Sequence, residues 1–489
     1  MQTNPHEPNI ASFYHLTGRA VADSPCQGMA CFAARHLDPD RWHTAQTQAA
    51  RIYCLGKCYA APAAGGDTRR PGIEIHAAQP VVLKRVVAGG ARTVQSYTGH
   101  GGYTALAQAL RTAPDAIVQA IEHSGLRGRG GAGFPTGRKW RAVFQASGDE
   151  KFVVANADEG DPGAYIDRFI MEDDPHALIE ALVIAGYAVG ASKACIYLRS
   201  EYPEARIILK QALADARQQG YLGENILDSR FSFDIELIIG QGSYICGEET
   251  ALLNSIEGRR PEVRVRPPYP TESGLFDKPT LIDNVETLAA IPWIVQHGAE
   301  AYRTLGFSNS RGTKLVSLNS LFNRPGLYEI EFGMPVRHIV EQLGGGLKTG
   351  KLKGVIIGGP LAGMIPPQLL DTPFGHEELH AIGAAVGHGG VVVFDEHTSI
   401  AALIHHIFSF GAYESCGKCT PCRLGSRRIE QIFEKPLQTG KAPAIEKAEW
   451  EEIVAALAHT SLCGLGTGLA EFAHSIERYY TQELTACFA

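Results

Sequence analysis

The sequence predicts a multidomain α/β protein, and three observations carry that expectation. Between about residues 100 and 300, short β-rich runs alternate with amphipathic helical stretches, as they do when helices cover a sheet. From about 312 to 395 the texture changes to short strands with turn signals, GTKLVSLNS, RPGLYEIEFG, KLKGVIIGGP and GGVVVFDEHT. From about 400 onward the pattern is helical around a set of cysteines.

Taken in order, residues 1–90 form a small unit with its own cysteines, broken by the flexible stretch AAGGDTRRPG. In the second unit, 100–305, KFVVANADEG ends a strand in a loop, and PHALIEALVIAGYAVGA is a helix with apolar spacing of three and four. ACIYLRSEYP is the next strand, and EARIILKQALADARQQG a helix that stops at Gly220. The β-rich unit at 312–395 and the helical unit at 400–489 follow. A chain of 489 residues is long enough for about three or four such domains.

Composition is that of an ordinary globular protein, 45% hydrophobic and 20% charged. A net charge of −7 gives no basic surface for nucleic acid or anionic lipid. No apolar run approaches the ~20 residues of a membrane span. The opening MQTNPHEPNIASFYHL lacks a signal-peptide layout, so a cytoplasmic protein is expected.

The 11 cysteines cluster at the two ends. In a reducing compartment clustered thiols are ligands or reactive groups rather than disulfides. ESCGKCTPCRLG sets Cys416, Cys419 and Cys422 at C-x2-C-x2-C, and SLCGLG supplies Cys463. A triplet with a distant fourth is the ligation pattern of a [4Fe–4S] cluster. Zinc also accepts four thiolates, although its sites usually pair two C-x2-C hairpins. SPCQGMAC and YCLGKCYAAP give Cys26, Cys31, Cys54 and Cys58 as C-x4-C and C-x3-C. Cys195, Cys246 and Cys487 stand alone and are expected to be small buried hydrophobes.

GLRGRGGAGFPTGRKW packs glycines beside Arg127, Arg129, Arg138 and Lys139, so backbone N–H groups and cations can approach a phosphate. No GK[ST] follows, so it is not a P-loop. NADEGDPGAYIDR puts Asn156, Asp158, Glu159 and Asp161 on a turn after a strand, where carboxylates suit sugar hydroxyls or simply form a solvated loop. GQGSYICGEETALLNSIEG opens a helix with Glu248 and Glu249 in its first turn, a placement that also serves helix capping.

Together with KPTLIDNVETL, these tracts resemble, in the same order, the NADH-binding flavoprotein subunit of respiratory complex I. They are also similar to its soluble relatives, the diaphorase subunits of NAD-reducing hydrogenases and NAD-dependent formate dehydrogenases. The resemblance runs from about residue 100 to the C-terminus. It implies a modified Rossmann-like FMN domain, a β-grasp-like domain and a C-terminal helical bundle holding the [4Fe–4S] cluster. By the same resemblance FMN would lie against Gly128, Arg129, Gly130 and Lys139, with Asn156, Asp158, Tyr244, Gly247, Glu248, Asn284 and Thr287 completing its pocket. NAD(H) would be bordered by Phe134, Glu249, Arg266 and Tyr269, and Glu159 and Asp161 belong to the same acidic turn. Three positions depart from the family's usual residues: Asp161 where glutamate is usual, Arg266 where lysine is usual, and Asp283 where asparagine is usual.

The first cysteine tract is similar to the thioredoxin-like [2Fe–2S] subunit that partners this flavoprotein, here trimmed and fused to the N-terminus, so a [2Fe–2S] cluster is expected on Cys26, Cys31, Cys54 and Cys58. An empty remnant or zinc is the alternative. GGPLAGMIPPQLLDTPFG and the tract after it look most similar to the diaphorase (beta) subunit of soluble formate dehydrogenase. That implies a molybdenum or tungsten catalytic subunit and a small [2Fe–2S] gamma subunit as partners, with a bidirectional hydrogenase or complex I as the alternative assembly. A non-redox scaffold and a zinc-binding regulator are the remaining readings, and intact cysteines and an intact glycine loop speak against both.

Overall fold

The computed structural model describes residues 14–17, 24–47 and 51–488. Its N-terminal segment carries two short helices, α1 (Met29–Ala33) and α2 (Pro39–Thr47), and one strand, β1 (Gly72–Ile75). Among the described residues of this segment there is no sheet of its own. In place of the expected thioredoxin-like domain, these residues form a cysteine-bearing wrap whose one strand joins the sheet of another unit, because β1 finds its only partner strand there.

The first long helix of the second unit is α3 (Pro114–Ser124), where Pro114 suits a first helical turn and Gly125 closes the helix at φ 69°. Next come α4 (Thr136–Gln145), β2 (Phe152–Ala157), α5 (Asp167–Asp173), α6 (Pro175–Val189), β3 (Lys193–Leu198), α7 (Pro203–Gln218), β4 (Asp234–Ile239), α8 (Glu249–Ile256), β5 (Thr280–Asn284) and α9 (Val285–Ala289). The four strands form one parallel sheet in the order β4-β3-β2-β5. Burial on both faces explains the apolar runs FVVANA and KACIYL. The α6 helix is apolar almost all round and is buried along nearly its whole length, whereas α7 keeps a polar outer face.

The third unit contributes β6 (Thr313–Leu318), β7 (Gly326–Glu331), β8 (Leu352–Ile357), β9 (Met364–Ile365), α10 (His376–Ala381) and β10 (Gly390–Asp395). Its sheet runs β1-β7-β6-β10-β8-β9, with β1 parallel to β7 and β10 parallel to β6. The N-terminal strand therefore covers an edge that would otherwise expose unpaired backbone.

The C-terminal unit is α11 (Ile400–Glu414), α12 (Ser426–Thr439), α13 (Ile445–Thr460) and α14 (Gly464–Tyr479). Trp450 is buried there between Phe408 and Phe433, with ring centroids 5.8 and 5.2 Å away. Among the described residues no helix is long and apolar enough to cross a membrane.

Candidate functional site

A cavity of about 1250 Å³ opens at the carboxyl ends of the parallel strands, the end at which open α/β sheets bind ligands. The glycine loop forms one wall. Gly130 sits where an added Cβ would lie 2.9 Å from Cβ of Asn284, so only glycine lets the loop approach β5 this closely. The Arg129 N–H donates to Thr287 Oγ1 at 2.8 Å, and the Asn284 side chain accepts from Thr287 N at 3.1 Å, capping α9.

The residues singled out from sequence converge on this cavity. Gly128, Gly130, Phe134, Lys139, Asn156, Asp158, Asp161, Tyr244, Gly247, Glu248, Glu249, Arg266, Tyr269 and Asn284 all line it. Arg129, Glu159 and Thr287 do not: they brace it from behind. The Arg129 guanidinium turns away to Tyr302 Oη at 2.8 Å and the Arg311 carbonyl at 2.7 Å, over the Phe332 ring. Glu159 is buried and accepts the first N–H groups of α5, from Ile166, Asp167 and Arg168, at 2.5, 3.0 and 3.1 Å.

Each departure from the family pattern has a local partner. Asp161 accepts from Tyr244 Oη at 2.6 Å. Arg266 donates to Glu249 at 2.7 Å. Asp283 accepts from Trp140 Nε1 at 2.9 Å and pairs with Lys139 at 3.2 Å. Burial pushes the Asp158, Asp161 and Asp283 carboxyls above the usual carboxylate range, the last against the opposing pull of Lys139. Acids biased toward the neutral form can donate as well as accept.

The polar inventory fits a flavin nucleotide. Asp158 Oδ2 and Glu248 Oε1 are buried without a hydrogen-bond partner among the described residues, although both border the cavity. The other Glu248 oxygen is committed to capping α8 through the Thr250 and Ala251 N–H groups, both at 2.9 Å. That fixes the carboxylate, whose Oε1 faces the Arg266 guanidinium at 3.8 Å across the cavity wall.

The second wall is not among the sequence expectations. The β-rich unit contributes His376, Glu377 and His380 from α10, and Gly387 and His388 from the loop before β10. Arg127 joins the two walls by pairing with Glu377 at 2.5 Å. The glycine-flanked histidine in VGHGG is the signal that could have pointed to it.

Cys463 completes the picture, because it lines the same cavity beside Gly464, Leu465 and Thr467 at the start of α14. Its thiol and that of Cys422 are pushed up to about 11 and about 12, mainly by burial. Such thiols are poor nucleophiles and need a metal's charge to ionise. Among the described residues, no three cysteine sulfurs lie within 4.8 Å of one another.

The N-terminal cysteines are all buried. Cys26 neighbours Cys31, and Cys54 neighbours Cys58. Arg199 holds the Cys54 carbonyl at 2.9 Å, and Cys54 Sγ lies 3.7 Å from the carbonyl of Asp161. Cys195, Cys246 and Cys487 are single buried thiols, as expected.

Comparison with known proteins agrees with this architecture. Residues 121–293 match the Nuo51 FMN-binding domain, and residues 402–487 match the NADH-ubiquinone oxidoreductase-F iron-sulfur binding region. The chain is 42% identical over 410 residues to the F 2 subunit of the NADH-quinone oxidoreductase of Rhizobium meliloti (strain 1021), covering 83% of this chain and 97% of that one. It is 43% identical over 375 residues to HndC, a subunit of the NADP-reducing hydrogenase of Solidesulfovibrio fructosivorans, 76% of each chain. A solved NAD+-reducing [NiFe]-hydrogenase in the H2-reduced state superposes with a TM-score of 0.82 at 30% identity, over 98% of this chain and 87% of that chain. The chain belongs to the family of NADH-quinone oxidoreductase F subunits, with that family's FMN-binding domain and iron–sulfur region.

Proposed function

We propose that this chain is the diaphorase subunit of a soluble, formate dehydrogenase-type complex. It exchanges hydride with NAD(H) at FMN and single electrons with iron–sulfur clusters. The observation that carries the reading is one cavity whose wall holds both the glycine loop and Cys463. A flavin there would take two electrons at once and pass them on singly.

The chain's own residues bind, orient and exclude water. Gly130 and Lys139 would offer an N–H group and a cation to the flavin phosphate, with Gly128 beside them holding the loop closed through its N–H to the Phe134 carbonyl at 2.8 Å. Asn156, Asp158, Tyr244, Gly247, Glu248 and Asn284 meet its polar edges, and Phe134, Glu249, Arg266 and Tyr269 border the nicotinamide nucleotide. Phe134 and Tyr269 are 46% and 53% exposed, apolar surface waiting for a planar ligand. Cys416, Cys419, Cys422 and Cys463 would hold the [4Fe–4S] cluster, and Cys26, Cys31, Cys54 and Cys58 a [2Fe–2S] cluster, two thiolates to each iron.

Formate as electron source is supported by the resemblance of the GGPLAGMIPPQLLDTPFG tract, and a molybdenum or tungsten catalytic subunit with a small [2Fe–2S] subunit would then be its partners. A hydrogenase or complex I assembly is the second reading, favoured by the names of the relatives above. Purification of the tagged chain with its native partners decides between them. Formate-dependent NAD+ reduction supports the first, H2- or quinone-coupled turnover supports the second, and no flavin bleaching by NADH refutes the diaphorase itself.

A further inference from the structure

At and behind the floor of the cavity lies a group of buried titratable side chains with no part in the hydride exchange, of which Asp167 and His388 line the cavity. His388 Nε2 lies 3.1 Å from Asp167 Oδ2 and 3.2 Å from Glu159 Oε1, all three buried. Asp167 in turn accepts from Asn284 Nδ2 at 2.6 Å and from the Glu286 N–H at 3.1 Å. Lys314 is fully buried, pairs with Glu286 at 2.5 Å and donates to the His388 carbonyl at 2.9 Å. The three carboxyl groups, Glu159, Asp167 and Glu286, come from the α/β unit. Both basic side chains, Lys314 and His388, come from the β-rich unit.

The backbone around His388 is built for this placement. Gly387 and Gly389 have φ of +51° and +93°, and an added Cβ would lie 2.2 Å from Gly358 Cα or 2.4 Å from the Leu315 carbonyl oxygen. Gly387 also bridges to Gly131 of the glycine loop. A side chain set in so constrained a loop, between two carboxylates, has little freedom to be elsewhere.

Three donor groups within 4.8 Å of one another could also hold a metal ion. Both carboxylates are already engaged, however: Glu159 with the N-terminus of α5 and Asp167 with Asn284 and α9. The imidazole occupies the position a cation would take.

We infer that His388 is a positioning residue for the flavin, a positive charge that the β-rich unit inserts between Glu159 and Asp167. It fixes Asn284 through Asp167 and raises the reduction potential of the bound cofactor. This rests on the diaphorase reading. Asp167, His388 and Asn284 all border the cavity, and Asp161, also bordering it, lies within electrostatic reach of His388. Burial opposes charging of the imidazole, but Asp167 and Glu159 outweigh it and hold His388 well above its usual range. Two-electron reduction leaves added negative charge on a flavin, so a fixed cation nearby favours the reduced form.

The test is a redox titration of FMN bound to the full chain, comparing wild type with His388→Gln and Glu159→Gln. Removing the cation should lower the ratio of reduced to oxidised FMN affinity about tenfold, a shift of about 30 mV for a two-electron couple. Removing the anion should move that ratio the opposite way. A merely structural role would shift both variants in one direction or neither, and either result overturns the inference. Wild-type protein that binds no FMN would refute the diaphorase reading instead. If Gln at 388 impairs folding, His388→Lys should fold and keep the wild-type ratio within about threefold. A stoichiometric non-iron metal, lost with the His388 variants, would overturn the assignment in favour of a metal site.

Discussion

The two cysteine sets have the same number of thiols and opposite surroundings. At the C-terminal end Cys419 and Cys463 are part-exposed, the spacing is compact, and Cys463 reaches the wall of the nucleotide cavity. At the N-terminal end all four thiols are buried under segments from elsewhere in the chain, including Arg199 and the strand ends of the α/β unit. The first set needs only the C-terminal unit, with three thiols on the segment between α11 and α12 and the fourth at the start of α14. The second exists only because the rest of the molecule folds around it.

That contrast makes the largest expected effect a C-terminal one. Cys422→Ser should remove about four irons per chain and cut electron transfer to one-electron acceptors by at least about a hundredfold, while NADH still bleaches the flavin. Iron analysis and stopped-flow absorbance measure the two separately. Loss of bleaching along with the iron would mean the cluster shapes the nucleotide site itself.

Next in size is the glycine loop. Gly130→Ala brings a methyl to 2.9 Å from the Asn284 side chain. FMN affinity should fall by about ten- to a hundredfold, or about 1.4–2.8 kcal/mol. Fluorescence titration of the flavin-free protein measures it, and unchanged affinity would show that the loop does not contact the flavin. In the other cysteine set, Cys54→Ser should lower iron from about six to about four per chain and leave NADH bleaching intact. A wild-type chain already at about four irons would make the N-terminal set an empty remnant.

These same regions show what a sequence can and cannot reveal. The C-x2-C-x2-C triplet and the glycine loop are local in sequence, and each strand and helix of the α/β unit carries its own period, so spacing and periodicity expose them. The turn at 156–161 is legible as a polar loop, but the division of labour within it is not. Asp158 faces the cavity while its neighbour Glu159 caps α5, and that choice depends on where α5 begins. The contribution of His376, His380 and His388 is hidden because it depends on one domain packing against another. The fate of β1 is hidden for the same reason, since its partner β7 lies some 250 residues further along the chain.

The smallest expected effect concerns how the N-terminal wrap is held. His406 on α11 stacks on Phe32 of α1, with ring centroids 4.4 Å apart, and lies near Trp42 and Tyr53. Burial holds its imidazole down at about 3, against 6.5 for an ordinary histidine. The folded state therefore favours neutral His406, while the unfolded chain gains a proton below pH 6.5. Its stabilising contribution is complete above that value and is lost progressively as the pH falls toward 3. One such group changes the slope of stability against pH by at most about 1.4 kcal/mol per unit. Chemical denaturation between pH 7 and pH 5 should show that slope in the wild type and a flatter one in His406→Phe, which keeps the stacking and removes the proton. If the slope persists unchanged in the variant, the wrap is held by the hydrogen bonds of Arg199 and Ser320 to the cysteine loop rather than by this aromatic contact.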